Sequence, residues 1–114
     1  MQDCKEIDIF SVTTTVPSME AGQRLAREIV GQRLGACVQV DAGILSVYRW
    51  QGVLQEEPEL RLTIKTIAGH LEALQALFAR HHPYEVPQFL CVAMRAGAAY
   101  AQWVQAETSP LPGP

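Results

Sequence analysis

At 114 residues, 48% hydrophobic and 18% charged, the chain reads as one globular domain able to bury roughly 65% of its unfolded surface. A net charge of −3 with no basic stripe argues against a phosphate-backbone binder, so nucleic acid is not an expected partner. No apolar run approaches the ~18 residues that cross a bilayer, and residues 1–6 have neither a basic start nor an apolar core, so neither a membrane span nor a secretory signal is expected.

Ile7-Asp8-Ile9-Phe10-Ser11-Val12-Thr13 is rich in β-branched and aromatic residues and reads as a first strand. Pro17 breaks it. Ser18 is a fair N-cap, and Glu20 complements the helix dipole one turn in. Leu25, Ala26, Ile29, Val30 and Leu34 then recur at helical spacing, with Arg24, Arg27, Glu28 and Gln32 on the wet side, and Gly35 is expected to end the helix.

Two strands follow, joined at Gln51-Gly52. In the second, Leu60, Leu62 and Ile64 alternate with Glu59, Arg61, Thr63 and Lys65. An uninterrupted two-residue hairpin would set Val40 opposite Thr63 and Val38 opposite Lys65, mixing apolar and polar groups on one face. Either a longer turn with Gly52 in a left-handed position or a bulge near Gly43 or Pro58 removes the conflict, and the bulge is the favoured reading. Pro58 lacks an N–H and belongs at an edge or an interruption.

A second helix is expected over 68–81, with Ile67, Leu71, Leu74 and Phe78 as its buried stripe and Pro83 as its stop. Residues 89–94 are apolar throughout and form a last strand. Residues 98–106 form a short terminal helix carrying Tyr100, Trp103 and Val104. Residues 107–114, with three prolines and a glycine, are expected to be a flexible tail after a single domain of residues 1–106.

The order βαββαβ with an extra C-terminal helix predicts an α+β, ferredoxin-like sandwich. Helices there cover one face of the sheet. The strand at 89–94 has no polar side, and the chain is too short for a second domain, so a partner subunit is expected to cover the other face.

Cys4, Cys37 and Cys91 form an odd set with no Cys-x-x-Cys pair, which fits reduced thiols in a cytoplasm. Cys37 and Cys91 lie in apolar runs and read as small buried hydrophobes, while Cys4 sits near a loose terminus. Phosphate-binding, zinc-protease and nucleophile-elbow motifs are absent, so an enzyme is not supported.

The densest information lies in His82-Pro83-Tyr84-Glu85-Val86-Pro87. Two prolines fix φ and push His82 and Val86 out of helical conformation, holding an imidazole, a phenol and a carboxylate on stiff backbone. This segment resembles the His-Pro-Tyr-Glu-x-Pro signature of the CutA family, the divalent-cation tolerance proteins. Further blocks agree in order: Gly35-Ala36-Cys37-Val38-Gln39, Trp50-Gln51-Gly52, the acids Glu57 and Glu59, and Lys65-Thr66. The resemblance spans about residues 13–103. It implies a small α/β homotrimer with its sheets turned inward, linked to metal tolerance.

The imidazoles of His81 and His82 are the candidate metal ligands, with Cu²⁺ or another divalent cation as the candidate ion. Neighbouring helical residues point about 100° apart, however, so the pair does not easily chelate one ion. In some members of the family a cysteine at the end of the first strand joins the histidines. Thr14 stands there in this chain, and a hydroxyl is a poor ligand for a soft metal. The structural alternative has His82 hydrogen-bonded within the proline corner and His81 capping the helix.

Cys37, Trp50, Glu57, Glu59, Lys65, Tyr84 and Glu85 are the residues expected at a cleft between subunits. The carboxylates there would bind a cation or polar ligand, or form salt bridges across subunits. Trp50, at the hairpin tip, is expected to reach over a neighbour; Tyr48, Tyr84 and Trp103 are the other amphipathic aromatics. Val53 and Gln88 replace a lysine and a glutamate common in the family. The rival functional reading is a small-molecule or nucleotide-sensing trimer of the nitrogen-regulatory type, by analogy of fold alone. The acidic pair and the missing lysine at position 53 count against phosphate binding. An assembly scaffold without a ligand is a third reading.

Overall fold

The computed structural model describes residues 6–110. Cys4 and residues 111–114 of the expected tail lie outside the described residues. The elements run β1 (Glu6–Val16), α1 (Met19–Gly31), β2 (Cys37–Trp50), β3 (Val53–Thr66), a 3₁₀ turn (Ala68–His70), α2 (Leu71–His81), β4 (Leu90–Gly97) and α3 (Ala98–Glu107). This is a mixed α/β fold with one four-stranded sheet, ordered β2-β3-β1-β4, in which every neighbouring pair is antiparallel.

Alternation along the strands sorts the core. Val12 and Val16 of β1 share a face with Leu62 and Ile64 of β3, and there they meet Leu25 and Ile29 of α1 and Leu74, Leu77 and Phe78 of α2. The odd positions of β1 face the other way. Ile9 packs with Ala36, Ala101 and Val104, so α3 covers only the start of β1 on the back of the sheet. The rest of that back face carries Leu90, Val92 and Met94, all exposed.

The register conflict in the hairpin is resolved by a bulge. Asp41 pairs with Arg61 and Ile44 with Glu59, so Ala42 and Gly43 stand opposite Leu60 alone, with Gly43 at φ 82°. Val38 and Val40 now oppose Ile64 and Leu62. The turn is tight, with Gln51 at φ 51° and Gly52 at φ 81°, the signs a right-twisted two-residue hairpin prefers. β1 stops pairing at Leu60, so beyond that point β2 and β3 continue as a two-stranded arm. Pro58 sits in this arm, where no third strand asks for its N–H. The arm and a thickness of only 21 Å raise the radius of gyration to 15.7 Å, against about 13 Å for a compact chain of this length.

Ser18 caps α1, its Oγ accepting from the Ala21 N–H at 3.1 Å. The helix ends at Gly31, earlier than the stop expected at Gly35. Arg33 takes the left-handed position at φ 60°, while the N–H groups of Leu34 and Arg33 bond the carbonyls of Ile29 and Val30. Gly35 has a different reason: a Cβ there would lie 2.7 Å from Ile64 Cγ2 and 2.8 Å from Ile29 Cγ2. The Arg33 side chain then reaches α3, donating to the carbonyls of Ala106, at 2.8 Å, and Ser109. His70 meets the Thr108 carbonyl at 2.7 Å, and Thr108 itself is buried, so the packed body extends past residue 106. Cys91, expected to be buried, is exposed because the helices do not reach over the edge strand β4.

Candidate ligand pocket at the base of the hairpin arm

Pro83 ends α2 and leaves His82 as its cap in extended conformation, with its N–H on the Phe78 carbonyl at 2.9 Å. The ring lies between Phe78 and Tyr84, 5.3 Å from each by centroid. Both nitrogens are engaged. Nδ1 accepts from the Tyr84 N–H at 3.1 Å, which leaves the proton on Nε2, 2.9 Å from Thr14 Oγ1. Burial lowers its pKa below the usual histidine value, only partly opposed by the Thr15 backbone and the Glu59 charge. The ring is therefore neutral near pH 7.

The stiff corner turns Tyr84 toward the arm, where its hydroxyl donates to Glu59 Oε2. In the same way the Tyr48 hydroxyl donates to Glu57 Oε1. Burial, then the bond to Glu59, pushes the Tyr84 phenol well above its ordinary range; the bond to Glu57 is the first cause that raises Tyr48. Both phenols thus stay protonated donors to carboxylates. Glu59 is only 8% exposed.

The bulge at Gly43 sets this arrangement. Before it, odd residues of β2 share the back face with Arg61, Thr63 and Lys65. After it, Ser46 and Tyr48 fall opposite Glu57 and Gln55 on that face. Tyr48, Trp50, Tyr84 and Val86 line a cavity of about 200 Å³. A shallower space of about 380 Å³ shares these walls and adds Thr15, Ser46, Val47, Glu59 and Gln88.

The residues expected at one cleft fall into three places. Glu59 and Tyr84 bond at the base of the arm and line one space with Trp50 from its tip, while Glu57 lies along the arm on the Tyr48 hydroxyl. Lys65 lies at the far end of β3 opposite Cys37, its Nζ on Gln39 Oε1 at 3.0 Å, and makes no salt bridge with the two acids. Cys37 there adds to the burial that raises the Tyr100 pKa. Glu85 lines a separate hollow of about 260 Å³ with Gln75, Phe78 and Pro87. Tyr48 had been noted only as an aromatic; its partnership with Glu57 is legible from strand parity, since it stands one diagonal step from that acid.

His81 points elsewhere than its neighbour, with Nε2 3.9 Å from Glu28 Oε1. Among the described residues no three His, Cys, Asp or Glu side chains come together to hold a metal ion. The donors of one subunit therefore fit a resident copper ion poorly: His82 would have to surrender two internal bonds, and Thr14 supplies a hydroxyl already used by that ring. No helix among the described residues is long and apolar enough to cross a membrane.

Residues 10–107 match the profile of the CutA1 divalent ion tolerance protein family. Protein CutA, chloroplastic, of Arabidopsis thaliana is 37% identical over 108 residues, which cover 94% of this chain but 59% of the plant protein. The divalent-cation tolerance protein CutA of Yersinia pestis (strain Pestoides F) is 36% identical over 96 residues, covering 83% of this chain and 81% of that one. Among solved structures, CutA from Synechococcus elongatus PCC7942 superposes with a TM-score of 0.86 at 34% identity, covering 92% of this chain and 95% of its own. The family is named for tolerance to ions and not for a reaction. A profile match over nearly the whole described fold, with the fold itself shared, leaves one conclusion: the chain belongs to the CutA1 divalent ion tolerance protein family.

Proposed function

We propose that the chain serves tolerance to divalent cations as a homotrimer of ferredoxin-like subunits, with the pocket at the base of each arm closed by a neighbouring copy. The observation that carries this reading is the apolar surface left without a partner. Leu45, Val47 and Leu54 on the arm are 57–64% exposed, and Leu90 and Val92 on the back of β4 nearly as much. A two-stranded ribbon is marginal in water by itself, and patches of this size mark association surfaces. Leu45, Val47 and Leu54 lie on the helix side of the sheet, whereas Leu90, Val92 and the Tyr48 of the pocket lie on its back, so a neighbour covering the back face would also close the pocket.

Divalent ions meet such a trimer weakly. Copper at His81 and His82 competes with the Tyr84 amide and the Thr14 hydroxyl for the second ring, so its affinity is modest. Protonation of His82, whose pKa burial lowers, competes with the metal as the pH falls. Nucleotide phosphates suit the pocket less, because Glu59 lies in the wall and no lysine or arginine lines it among the described residues. A reducing compartment such as the cytoplasm suits Cys37 and Cys91, which are free thiols.

Light scattering tests the assembly: a trimer mass is expected, and a monomer mass at micromolar concentration would sink it. Calorimetry with Cu²⁺ tests the metal. The double variant His81→Ala, His82→Ala is expected to lose the copper heat, and unchanged binding would move the site elsewhere.

A further inference from the structure

The cavity of about 200 Å³ has three aromatic walls, Tyr48, Trp50 and Tyr84, and a fourth from Val86. It opens into the shallower space of about 380 Å³ that shares these four residues and adds Glu59, so the rings and the carboxylate border one continuous hollow. Glu59 stands in the adjoining wall, nine-tenths buried. Its Oε2 accepts the Tyr84 hydroxyl, yet no lysine, arginine or histidine ion-pairs with it among the described residues. A carboxylate withdrawn from water without a counter-charge is unfavourable, and it favours whatever cation can reach it.

The walls select which cation. A hard divalent metal wants several oxygen donors around it, and indole and phenol rings give few. Both tyrosine hydroxyls are already spent as donors to Glu57 and Glu59. An anion would face the Glu59 carboxylate. A neutral apolar molecule would fill the rings and leave Glu59 uncompensated. Aromatic rings attract an alkylated ammonium through their negative faces, and such an ion sheds its water more readily than a metal does.

We propose that this pocket binds a small organic ammonium ion, with Tyr48, Trp50 and Tyr84 around its alkylated nitrogen and Glu59 as its counter-charge. The proposal rests on the reading that a neighbouring copy closes the pocket. It assigns a ligand class that the metal-tolerance reading does not contain.

Choline and its neutral carbon isostere, 3,3-dimethyl-1-butanol, are the probes, titrated by calorimetry into the full chain, with the mass of the same sample read by light scattering. Choline is expected to bind at least tenfold more tightly than the isostere. Glu59→Gln keeps an acceptor for the Tyr84 hydroxyl and removes the charge, so it should shrink that difference, leaving only the part the rings supply. Trp50→Leu should weaken choline more than the isostere. Equal affinity of the two probes in the unaltered chain overturns the proposal without need of any variant, as does a choline preference that is undiminished in Glu59→Gln. A trimer that binds neither probe refutes the ammonium ligand and leaves the assembly standing. A monomer that binds neither removes both.

Discussion

The two ends of the β2–β3 hairpin use similar residues to different effect. At the end near α1 and α2, Leu62 and Ile64 alternate with polar neighbours and are wholly buried. On the arm, Leu45, Val47 and Leu54 alternate in the same manner and stand more than half exposed. What separates them is reach. β1 pairs with β3 only as far as Leu60, and past that point the proline corner covers Glu59 on one face while Leu45, Val47 and Leu54 on the other stay uncovered by their own chain. Alternation therefore reports that a strand will be half buried without saying which molecule buries it.

Three changes would break or sharpen this contrast. The largest effect belongs to the covered end: Leu62→Ala should lower unfolding stability by about 2–5 kcal/mol, through lost transfer energy and a cavity that α1 and α2 cannot fill. Denaturant titration should give that loss at every protein concentration. Leu54→Ala is its counterpart on the arm and should lower stability only in a concentration-dependent way. Equal losses from both, independent of concentration, would mean that the arm is stabilised within its own subunit. Next is Trp50→Ala, which should weaken the proposed trimer by about 2 kcal/mol, the loss typical of an aromatic anchor, with the helical circular dichroism retained. Sedimentation against dilution reads it, and an unchanged trimer would confine the indole to its own subunit's pocket.

The smallest effect is a slope with pH. Burial lowers the pKa of His82 in the folded chain relative to the unfolded one, so the unfolded chain binds the extra proton first. The stability tied to neutral His82 is fully present above about pH 6.5, the ordinary histidine value, and declines as pH falls below it. Stability at pH 7 minus that at pH 5.5 should be smaller in His82→Gln than in the unaltered chain. An identical difference would show that the ring is not held neutral.

Much of the fold was legible before any coordinates. The mismatch of Val38 and Val40 against polar partners demanded a bulge, and Gly43 supplies it. The N-cap at Ser18 and the stop at Pro83 are local chemistry, and local chemistry is what sequence carries best. Gly35 misled because a glycine after a helix serves either a left-handed turn or a close approach, and only the positions of Ile29 and Ile64 distinguish the two. Cys91 misled because an apolar run implies burial on both sides, whereas an edge strand under short helices stays open. The site was half legible. Within one subunit Tyr84 bonds Glu59 and Trp50 lines the same space, while Lys65 and Cys37 lie at the other end of β3 and β2; strand parity gives a shared face, and a cleft joining both ends would need a second copy.

Arg33 carries a last consequence. A left-handed backbone costs a non-glycine residue roughly 1–2 kcal/mol, and glycine would be the usual remedy at φ 60°. Here the side chain repays the strain by binding carbonyls 73 and 76 residues away, at the end of α3. The end of α1 and the end of α3 are thus one latch. A glycine chosen to relax the turn would give up that tie and leave the end of α3 to the packing of Ala101 and Val104 and the His70 contact with Thr108.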